Sequence, residues 1–292
     1  HHLAVAAQLL DHRLHGFGGN REGEADIAAG RRGDGGVHAD DLAVDVEGRA
    51  ARIALVDRRV DLKEVVIGAG ADVAPTVAAA AAVAGTPGIP YEVAERTHDK
   101  WTVRLALDQA GLRQYQPQWC NVSAGNTVEC LETTYIPYVG GYPVVLKPLQ
   151  QRASRGVSRV SQIRDLGVAM EKALEYRQAY LVEQCLTGTE HSVEGIFDTD
   201  GFLRWYNVVD RFFDYSSGVP IETGHVNPSS LMPFTSWLAL QKMLVDVASA
   251  LGVTWGPFKI DALITPEGDP KVLECTARLS GGWDCQGTSP LT

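Results

Sequence analysis

Two acidic residues near the end of the chain lie on segments that the sequence predicts to be adjacent strands. Residues 256–279 read GPFKIDALITPEGDPKVLECTARL, two largely apolar runs joined by Pro-Glu-Gly-Asp-Pro, which is a hairpin pattern. Asp261 lies on the first strand and Glu274 on the second, and facing side chains on antiparallel strands are about 5 Å apart. Two carboxylates at that spacing can hold Mg²⁺, which takes its other ligands from water and phosphate oxygens. A solvent-facing strand with ordinary surface charges is the alternative interpretation.

The second strand of this hairpin also carries a hydroxyl and a guanidinium group. In VLECTARLSGG, residues 272–282, alternate positions are occupied by Glu274, Thr276 and Arg278. Because successive strand side chains point to opposite faces, the three are predicted to project from one face. An arginine just beyond a pair of metal-binding carboxylates suits the stabilisation of an anionic transition state, so this face is a candidate site for phosphate chemistry.

A lysine at the end of a predicted buried strand is a further candidate phosphate ligand. Lys147 follows Tyr-Pro-Val-Val-Leu and precedes a proline, and the next segment, residues 150–157, is a polar loop. A loop of this composition can offer backbone N–H, hydroxyl and guanidinium groups to phosphates. It is not a P-loop, because the pattern G-x-x-x-x-G-K-[ST] is absent. A lysine that reaches solvent from a strand end, followed by a plain exposed loop, is the alternative interpretation.

Two other segments could contact a nucleotide. The run LVEQCL, residues 181–186, ends a buried strand, and its backbone groups could pair with a purine edge. The following GTEHSVEG places Glu190, Ser192 and Glu194 on one strand face. In GAGADVAP, residues 68–75, Val73 stands where a dinucleotide fingerprint has its third glycine, so a plain β-α turn is the better interpretation there.

These candidate residues need a scaffold of helices and strands. An alanine-rich helix is predicted after the GAGADVAP turn, with Gly85 opening the turn that closes it. A second helix is predicted over 98–112, ending at Gly111, and its expected buried positions are Val103, Leu105, Leu107 and Ala110. Further helices are predicted over 161–177, starting from a serine cap, and over 236–253. Together with the hairpins, this mixture predicts an α+β (α/β) protein.

Composition narrows the class of protein. The 292 residues carry a formal charge of −10, which argues against a surface built for nucleic acid or anionic lipid. No apolar run reaches the roughly 20 residues of a membrane span. The five cysteines include no C-x-x-C pair. These features predict a reduced, cytoplasmic protein without nucleic-acid or membrane partners.

The order of the motifs resembles that of the ATP-grasp superfamily. Asp99-Lys100 opens a helix that ends in Ala-Gly-Leu, and VVLKP, the polar loop, LVEQ, GTEHSVEG, Asp261 and the E-x-T-x-R strand follow in turn. The chain looks most like the branch that contains the carbamoyl-phosphate synthetase large chain and biotin carboxylase, which are carboxylate–amine ligases. The resemblance runs from about Gly85 to the C-terminus.

The resemblance implies a fold of two α+β lobes that grip ATP, and an enzyme that uses Mg²⁺ (or Mn²⁺). The enzyme would activate a small-molecule carboxylate as an acyl phosphate for attack by an amine or similar nucleophile, and a homodimer is left open as its assembly. The ATP-binding residues implied are Lys100, Lys147, Arg155, Gly156, Glu183, Gln184, Cys185, Leu186 and Glu190. The implied metal ligands are Asp261, Glu274 and Thr276, and the implied catalytic residues are Arg278 and Lys147.

This sequence departs from the superfamily pattern at two metal-binding positions. Thr276 stands where the superfamily usually has asparagine, so it offers a hydroxyl oxygen in place of an amide carbonyl. The first acid is Asp261, where this branch commonly has glutamate. The resemblance therefore implies a metal site with an altered donor set.

Three segments are expected along the chain, which has no initiator methionine and is expected to be a fragment. Residues 1–63 show no sustained period and are expected to be a poorly structured tail or the product of a misread frame. Residues 64–98 would be the remnant of a Rossmann-like β-α unit that precedes ATP-grasp modules. Residues 99–292 would be an ATP-grasp domain truncated at its C-terminus.

The acid and the nucleophile are not assigned by the sequence. The segment 211–231 is expected to line the substrate side through Arg211, Glu222 or His225. Two other functions stay open: a nucleotide-binding module without catalysis, and an NAD(P)-dependent oxidoreductase that uses GAGADVAP.

Overall fold

The computed structural model describes residues 74–151, 154–175, 179–216, 219–231 and 234–280. The expectation for residues 1–63 therefore concerns residues outside the described part of the chain. The same holds for the strand and glycine turn expected between residues 64 and 73.

The helices and strands follow one another in mixed order. The helices are α1 Ala74–Ala84, α2 Tyr91–His98, α3 Lys100–Gln109, α4 Val128–Cys130, α5 Ile136–Tyr138, α6 Leu166–Leu174 and α7 Phe234–Leu251. A π-helical turn, Leu131–Tyr135, joins α4 to α5, and 3-10 turns span Arg113–Tyr115 and Ile163–Asp165. The strands are β1 Trp119–Ser123, β2 Val144–Pro148, β3 Ser158–Val160, β4 Ala179–Gln184, β5 Thr189–Phe197, β6 Leu203–Asp214, β7 Ile221–Val226, β8 Gly256–Ile264 and β9 Pro270–Thr276.

The chain divides into two compact units. The first comprises His1–Val66 and Thr76–Gly88, and its described part holds most of α1 and the turn at Gly85, whose φ is +69°. The second comprises Ile67–Pro75 and Ile89–Thr292, and it contains both sheets. The second unit thus takes in α2, which precedes the start expected for the ATP-grasp domain at Asp99.

Four antiparallel strands form the smaller sheet, in the order β1-β4-β2-β3. One face is packed, because Val144 and Leu146 of β2 and Tyr180 and Val182 of β4 are fully buried in a core that α6 helps to cover. Side chains alternate along a strand, so Lys147 and Glu183 belong to the opposite face. That second face is the one available to a ligand.

Five antiparallel strands form the larger sheet, in the order β7-β6-β5-β8-β9. The long helix α7 packs across β5, β6, β8 and β9, and its Leu240, Met243 and Leu244 are fully buried. Gly195 of β5 lies under this helix, where an added Cβ would be 2.7 Å from Leu244. The α7-covered face is the packed one, and the polar side chains of β5, β8 and β9 lie on the other face.

The β8–β9 hairpin has a defined register with one irregularity. Asp261 is paired with Glu274, and Lys259 with Thr276, as the sequence predicted for two facing carboxylates. Beyond Asp261 the register shifts so that Ala262 pairs with Val272. Leu273 is therefore the extra residue of a β-bulge, and a bulge residue is released from the regular ladder of hydrogen bonds.

Several elements predicted from the sequence are confirmed. Helix α3 starts at Lys100 behind an Asp99 cap that accepts hydrogen bonds from Trp101 N and Thr102 N. It stops before Gly111, whose φ is +73°. Helix α7 and the β8–β9 hairpin also lie where they were predicted.

Other predictions are wrong in detail. No serine caps the helix expected over 161–177: α6 starts at Leu166 after a 3-10 turn, and Asp165 precedes it without a side-chain cap. Helix α3 buries Arg104, whereas Leu105 is half-buried and Ala110 is exposed. Strands β1 and β7 and the helical segments between 128 and 138 were not predicted, because they are short and lack strong periodicity.

Helices long and apolar enough to span a bilayer are absent from the described ranges.

Candidate active site

A cavity of about 460 Å³ lies between the polar faces of the two sheets, within the second unit. Lys147 and Glu183 line it from the smaller sheet, and Glu190, Asp261 and Glu274 line it from the larger one. Charged side chains thus reach the cavity from both sheets, whose opposite faces are packed in apolar cores.

Lys100 enters this cavity from the first turn of α3. Its backbone N–H donates to Leu149 O at 2.9 Å, and Asp99 Oδ2 accepts from Gln150 Nε2 at 2.9 Å. These bonds tie the start of α3 to the end of β2. The Lys100 ammonium lies 2.9 Å from Glu274 Oε1, so Lys100 forms an ion pair with a carboxylate of β9.

Lys147 and Glu183 form part of a buried ionic network below the cavity. Lys147 Nζ lies 2.6 Å from Glu183 Oε2, and Arg104 binds the same carboxylate through Nε at 2.8 Å. Burial alone would raise the pKa of Glu183, but the charges of Arg104 and Lys147 outweigh it and hold that pKa below its usual range. Burial lowers the pKa of Lys147 despite its contact with Glu183.

The segment that joins the two sheets, residues 184–188, runs along the cavity. Gln184 N donates to Gln118 O at 2.8 Å and Cys185 N to Pro143 O at 3.3 Å, so these two N–H groups are used by the protein itself. Gly188 closes the segment where β5 meets β8, and an added Cβ there would lie 2.1 Å from Ile264 O. The close approach explains why a glycine occupies this position.

Glu190 stands at the start of β5 and is joined to the rim of the cavity. It accepts a hydrogen bond from Tyr215, and it is paired across the ladder with Arg211. Burial raises the pKa of Glu190.

At the rim of the cavity, Arg211 contacts Glu222 Oε1 at 2.5 Å, and His225 Nε2 lies 2.6 Å from the same oxygen. Arg211, Glu222 and His225, the residues expected on the substrate side, thus form one chain of contacts.

Asp261 lies between two cations. Its Oδ1 is 2.8 Å from Arg211 Nη1 and 3.0 Å from Lys259 Nζ. Burial would raise the pKa of Asp261, but the charges of Lys259 and Arg211 lower it to about 2. Asp261 is therefore ionised at any physiological pH.

The donor set at Asp261 and Glu274 fits a magnesium ion. No group of three or more His, Cys, Asp or Glu side chains suited to a metal occurs among the described residues. Mg²⁺ usually binds to only one or two protein carboxylates and completes its octahedron with water and phosphate oxygens, so an opposed carboxylate pair is sufficient. Thr276 Oγ1, two residues beyond Glu274 on β9, is buried and has no hydrogen-bond partner within the described ranges, which leaves it available as an oxygen ligand for a metal ion.

Arg278 lies past the end of β9, so strand alternation does not fix its direction as the sequence predicted. Its Nη1 donates to Leu279 O at 2.9 Å, and its buried Nε has no partner in the described part of the chain. Burial raises the pKa of Asp261, and the charge of Arg278 joins those of Lys259 and Arg211 in lowering it. Arg278 is therefore placed near the paired carboxylates.

The polar loop contributes in part to the cavity wall. Ser154, which has a φ of +58°, and Val157 line the cavity. Arg155 and Gly156 form the turn between them and do not line it. Arg152 lies outside the described residues.

The structure brings most of the sequence-predicted residues to one place. Those that line the cavity are Lys100, Lys147, Glu183, Gln184, Cys185, Leu186, Glu190, Asp261 and Glu274. Sequence reasoning missed Arg104 and Lys259. Alternation could have found Lys259, because it precedes Asp261 by two residues on the same strand face, whereas no local signal identified Arg104.

The sequence is similar to those of known proteins. The sequence profile described as the ATP-grasp domain matches residues 140–286. The D-alanine–D-alanine ligase of Azoarcus sp. (strain BH72) is 26% identical over 195 residues, covering 64% of this chain and 60% of that protein. The ligase of the same name from Syntrophotalea carbinolica is 34% identical over 130 residues, covering 44% of this chain and 41% of that protein. The chain thus spans 41–60% of the length of these two relatives.

Solved structures show the same fold. The L-amino acid ligase from Bacillus licheniformis superposes with a TM-score of 0.59 at 26% identity, over 79% of this chain and 52% of that one. The described residues contain the mixed helices and antiparallel sheets of an α+β protein, as the sequence resemblance implied. From the profile match, this fold and the charged cleft between its sheets, it follows that the chain belongs to the ATP-grasp family.

Proposed function

We propose that the chain is the ATP-binding part of a ligase that activates a carboxylate as an acyl phosphate and joins it to an amine. The observation that carries the proposal is the convergence of Lys100, Lys147, Asp261 and Glu274 on one cavity. Two ammonium groups and an opposed carboxylate pair suit the phosphates and metal of a nucleotide, because phosphoryl transfer needs positioning and charge neutralisation more than covalent chemistry.

Each wall of the cavity has a proposed role. The backbone of residues 184–186 contacts the adenine, and Glu190 accepts hydrogen bonds from the ribose hydroxyls. Lys100 and Lys147 contact the phosphates, for which they exchange their present contacts with Glu274 and Glu183. Asp261 and Glu274, with Thr276 beside them, hold Mg²⁺ (or Mn²⁺), which neutralises charge on the phosphates when it is bound.

The reaction proposed has two steps. An oxygen of the substrate carboxylate attacks the γ-phosphorus, the bond to the β–γ bridging oxygen breaks, and ADP leaves with that electron pair. The amine then attacks the acyl carbon, phosphate leaves, and the amine loses a proton. Arg278 and Lys147 stabilise the negative charge on the transferring phosphoryl group.

Amino acids are the substrate class proposed. The relatives named above are a D-alanine–D-alanine ligase and an L-amino acid ligase, so both are named for joining amino acids. The contact chain of Arg211, Glu222 and His225 at the rim offers charges of both signs, which suits a zwitterionic substrate. The acid and the amine are therefore both proposed to be amino acids.

Two substitutions test the proposal. Lys147→Ala removes a phosphate contact and Glu274→Gln removes half of the metal pair, so each is expected to abolish Mg-ATP turnover. The measurement is release of ADP and phosphate from the chain with a library of amino acids.

Two exposed residues supply controls for this test. Lys172→Ala on α6 and Glu267→Gln in the β8–β9 turn are expected to keep turnover. Turnover retained in both Lys147→Ala and Glu274→Gln would refute the ligase assignment. ATP binding without turnover in the wild-type chain would favour the non-catalytic nucleotide-binding module.

A further inference from the structure

Arg104 is buried on helix α3, although it was not among the positions of this helix that the sequence predicted to be buried. Its side chain is 2% exposed, and that of Glu183 is 3% exposed. Arg104 holds Glu183 with two bonds, Nε to Oε1 at 2.8 Å and Nη2 to Oε2 at 3.3 Å. A buried guanidinium is costly unless its partner is well placed, so this pair is fixed in geometry.

Lys147 shares the same carboxylate and a second acceptor. Its Nζ lies 2.6 Å from Glu183 Oε2, and it donates to Leu273 O at 3.1 Å. Arg104 Nη2 also donates to Leu273 O at 3.1 Å. Leu273 is the bulge residue of β9, which explains why its carbonyl accepts side-chain donors. Arg104 and Lys147 thus share two acceptors, the Glu183 carboxylate and the Leu273 carbonyl oxygen beside Glu274.

The charges of this cluster do not cancel. Arg104 and Lys147 are two cations and Glu183 is one anion, so the cluster carries one net positive charge. Without Arg104, Lys147 and Glu183 would form a neutral pair. Lys147 and Glu183 line the cavity, and Arg104 does not, so Arg104 could influence a ligand only through its neighbours.

We propose that Arg104 is a positioning residue whose positive charge offsets the negative charge of Glu183. Lys147 can then present a net positive charge to the phosphates of a nucleotide. The inference rests on the proposed nucleotide-binding function and goes beyond it. Arg104 would help the site to bind a phosphorylated nucleotide in preference to its nucleoside, although Arg104 contacts neither ligand.

The competing explanation is that Arg104 only braces α3 against β4 and β9. Charge arithmetic separates the two. Removing Arg104 alone takes the cluster from +1 to 0, whereas removing the charges of both Arg104 and Glu183 returns it to +1. If Arg104 only holds α3 against the strands, removing the charge of Glu183 as well should weaken that contact further. If the net charge matters, the same second substitution should restore it.

The test compares the binding of ATP and adenosine to the wild type, Arg104→Gln and the double variant Arg104→Gln/Glu183→Gln, by calorimetry at low salt. Arg104→Gln is expected to weaken ATP binding about tenfold and to change adenosine binding by less than about twofold, because only ATP senses the lost charge. The double variant is expected to recover most of the ATP affinity. Arg96→Gln, which removes a guanidinium bonded to Leu251 O, is the matched control and should leave both affinities unchanged.

Several outcomes would overturn the inference. An unchanged ratio of ATP to adenosine affinity in Arg104→Gln would do so, and so would a double variant that binds ATP no better than Arg104→Gln. If Arg104→Gln does not fold, Arg104→Lys provides the test, because it keeps the positive charge without the two-bond geometry. The ratio of ATP to adenosine affinity should then stay near the wild-type value. A ratio that falls to the same extent as expected for Arg104→Gln would refute the role of charge. A wild-type chain that binds no ATP would refute the proposed function instead.

Discussion

Single ionisable residues beside the cavity are held by partners of opposite charge. Asp261 meets Lys259 and Arg211, and Glu274 meets Lys100. Such pairing lowers the cost of desolvating each charge. A nucleotide and a metal ion can replace these partners without leaving a buried charge uncompensated, because the phosphates would pair with the cations and the metal ion would bind the carboxylates. The ionic pairs therefore preorganise the cavity for a ligand that carries both signs of charge.

Asp261→Asn tests this exchange at the level of one residue. The amide cannot neutralise a divalent cation, so the gain in ATP affinity on adding Mg²⁺ should fall about tenfold or more relative to the wild type. Affinity for metal-free ATP should not fall, because Lys259 and Arg211 lose their anionic partner. Calorimetric titrations with and without Mg²⁺ measure both quantities.

Asp269→Asn in the exposed β8–β9 turn is the matched control and should behave as the wild type. If Asp261→Asn keeps the full magnesium effect, Asp261 is not a metal ligand.

Among the elements, the connection from β4 to β5 has the tightest steric requirement in the cavity wall. It passes from the smaller sheet to the larger one within residues 185–188, and β5 must then pair with β8 along its whole length. Gly188 lies so close to β8 that an added Cβ would be 2.6 Å from Leu263 Cδ2 as well as in contact with the Ile264 carbonyl. The absence of a side chain here permits the first pairing of the β5–β8 ladder.

Gly188→Ala is expected to reduce the free energy of unfolding by about 1–3 kcal/mol, because the backbone oxygen it meets cannot move aside without disturbing β8. Gly224→Ala on β7 is the matched control, since its Cβ would meet nothing within 4 Å, and the expected change is within about 0.5 kcal/mol. Denaturant unfolding measures both. Equal losses for the two variants would contradict the steric argument.

Across the molecule, each sheet has one apolar face in a core and one polar face on the cavity, with one marked exception. His191 and Asp210 are fully buried on the packed side of the larger sheet. His191 Nδ1 lies 3.0 Å from Asp210 Oδ1, and Asp210 also accepts hydrogen bonds from Ser229, Ser230 and Leu231. This polar cluster ties the segment after the edge strand β7 to the middle of the sheet.

The stability of the fold should therefore depend on pH through His191. Burial lowers the pKa of His191 from 6.5, even though Asp210 acts in the opposite direction. The unfolded chain then binds a proton at a higher pH than the folded chain, so the free energy of unfolding falls as the pH drops below about 6.5. The slope is at most about 1.4 kcal/mol per pH unit for one such group.

Thermal unfolding between pH 7.5 and 5.5 provides the measurement. The melting temperature of His191→Gln should fall less over this range than that of the wild type, even if the variant is less stable throughout. Parallel curves for the two proteins would mean that His191 does not titrate as inferred.

Much of the site could be predicted from the sequence because its parts depend on local pattern. The hairpin pattern placed Asp261 opposite Glu274, and Asp99-Lys100 at one end with Gly111 at the other defined α3. Short strands such as β1 and β7 could not be predicted, since their pairing to distant strands, and not their own sequence, makes them strands.

By itself, the sequence determined which residue types could hold phosphate and metal and in what order they occur along the chain. Only the tertiary structure decided which charges compensate one another. Arg104 shows the difference: its partners Glu183 and Leu273 are 79 and 169 residues away. No periodicity within α3 can report such partners, because the free energy that permits a buried guanidinium comes from groups that folding brings together.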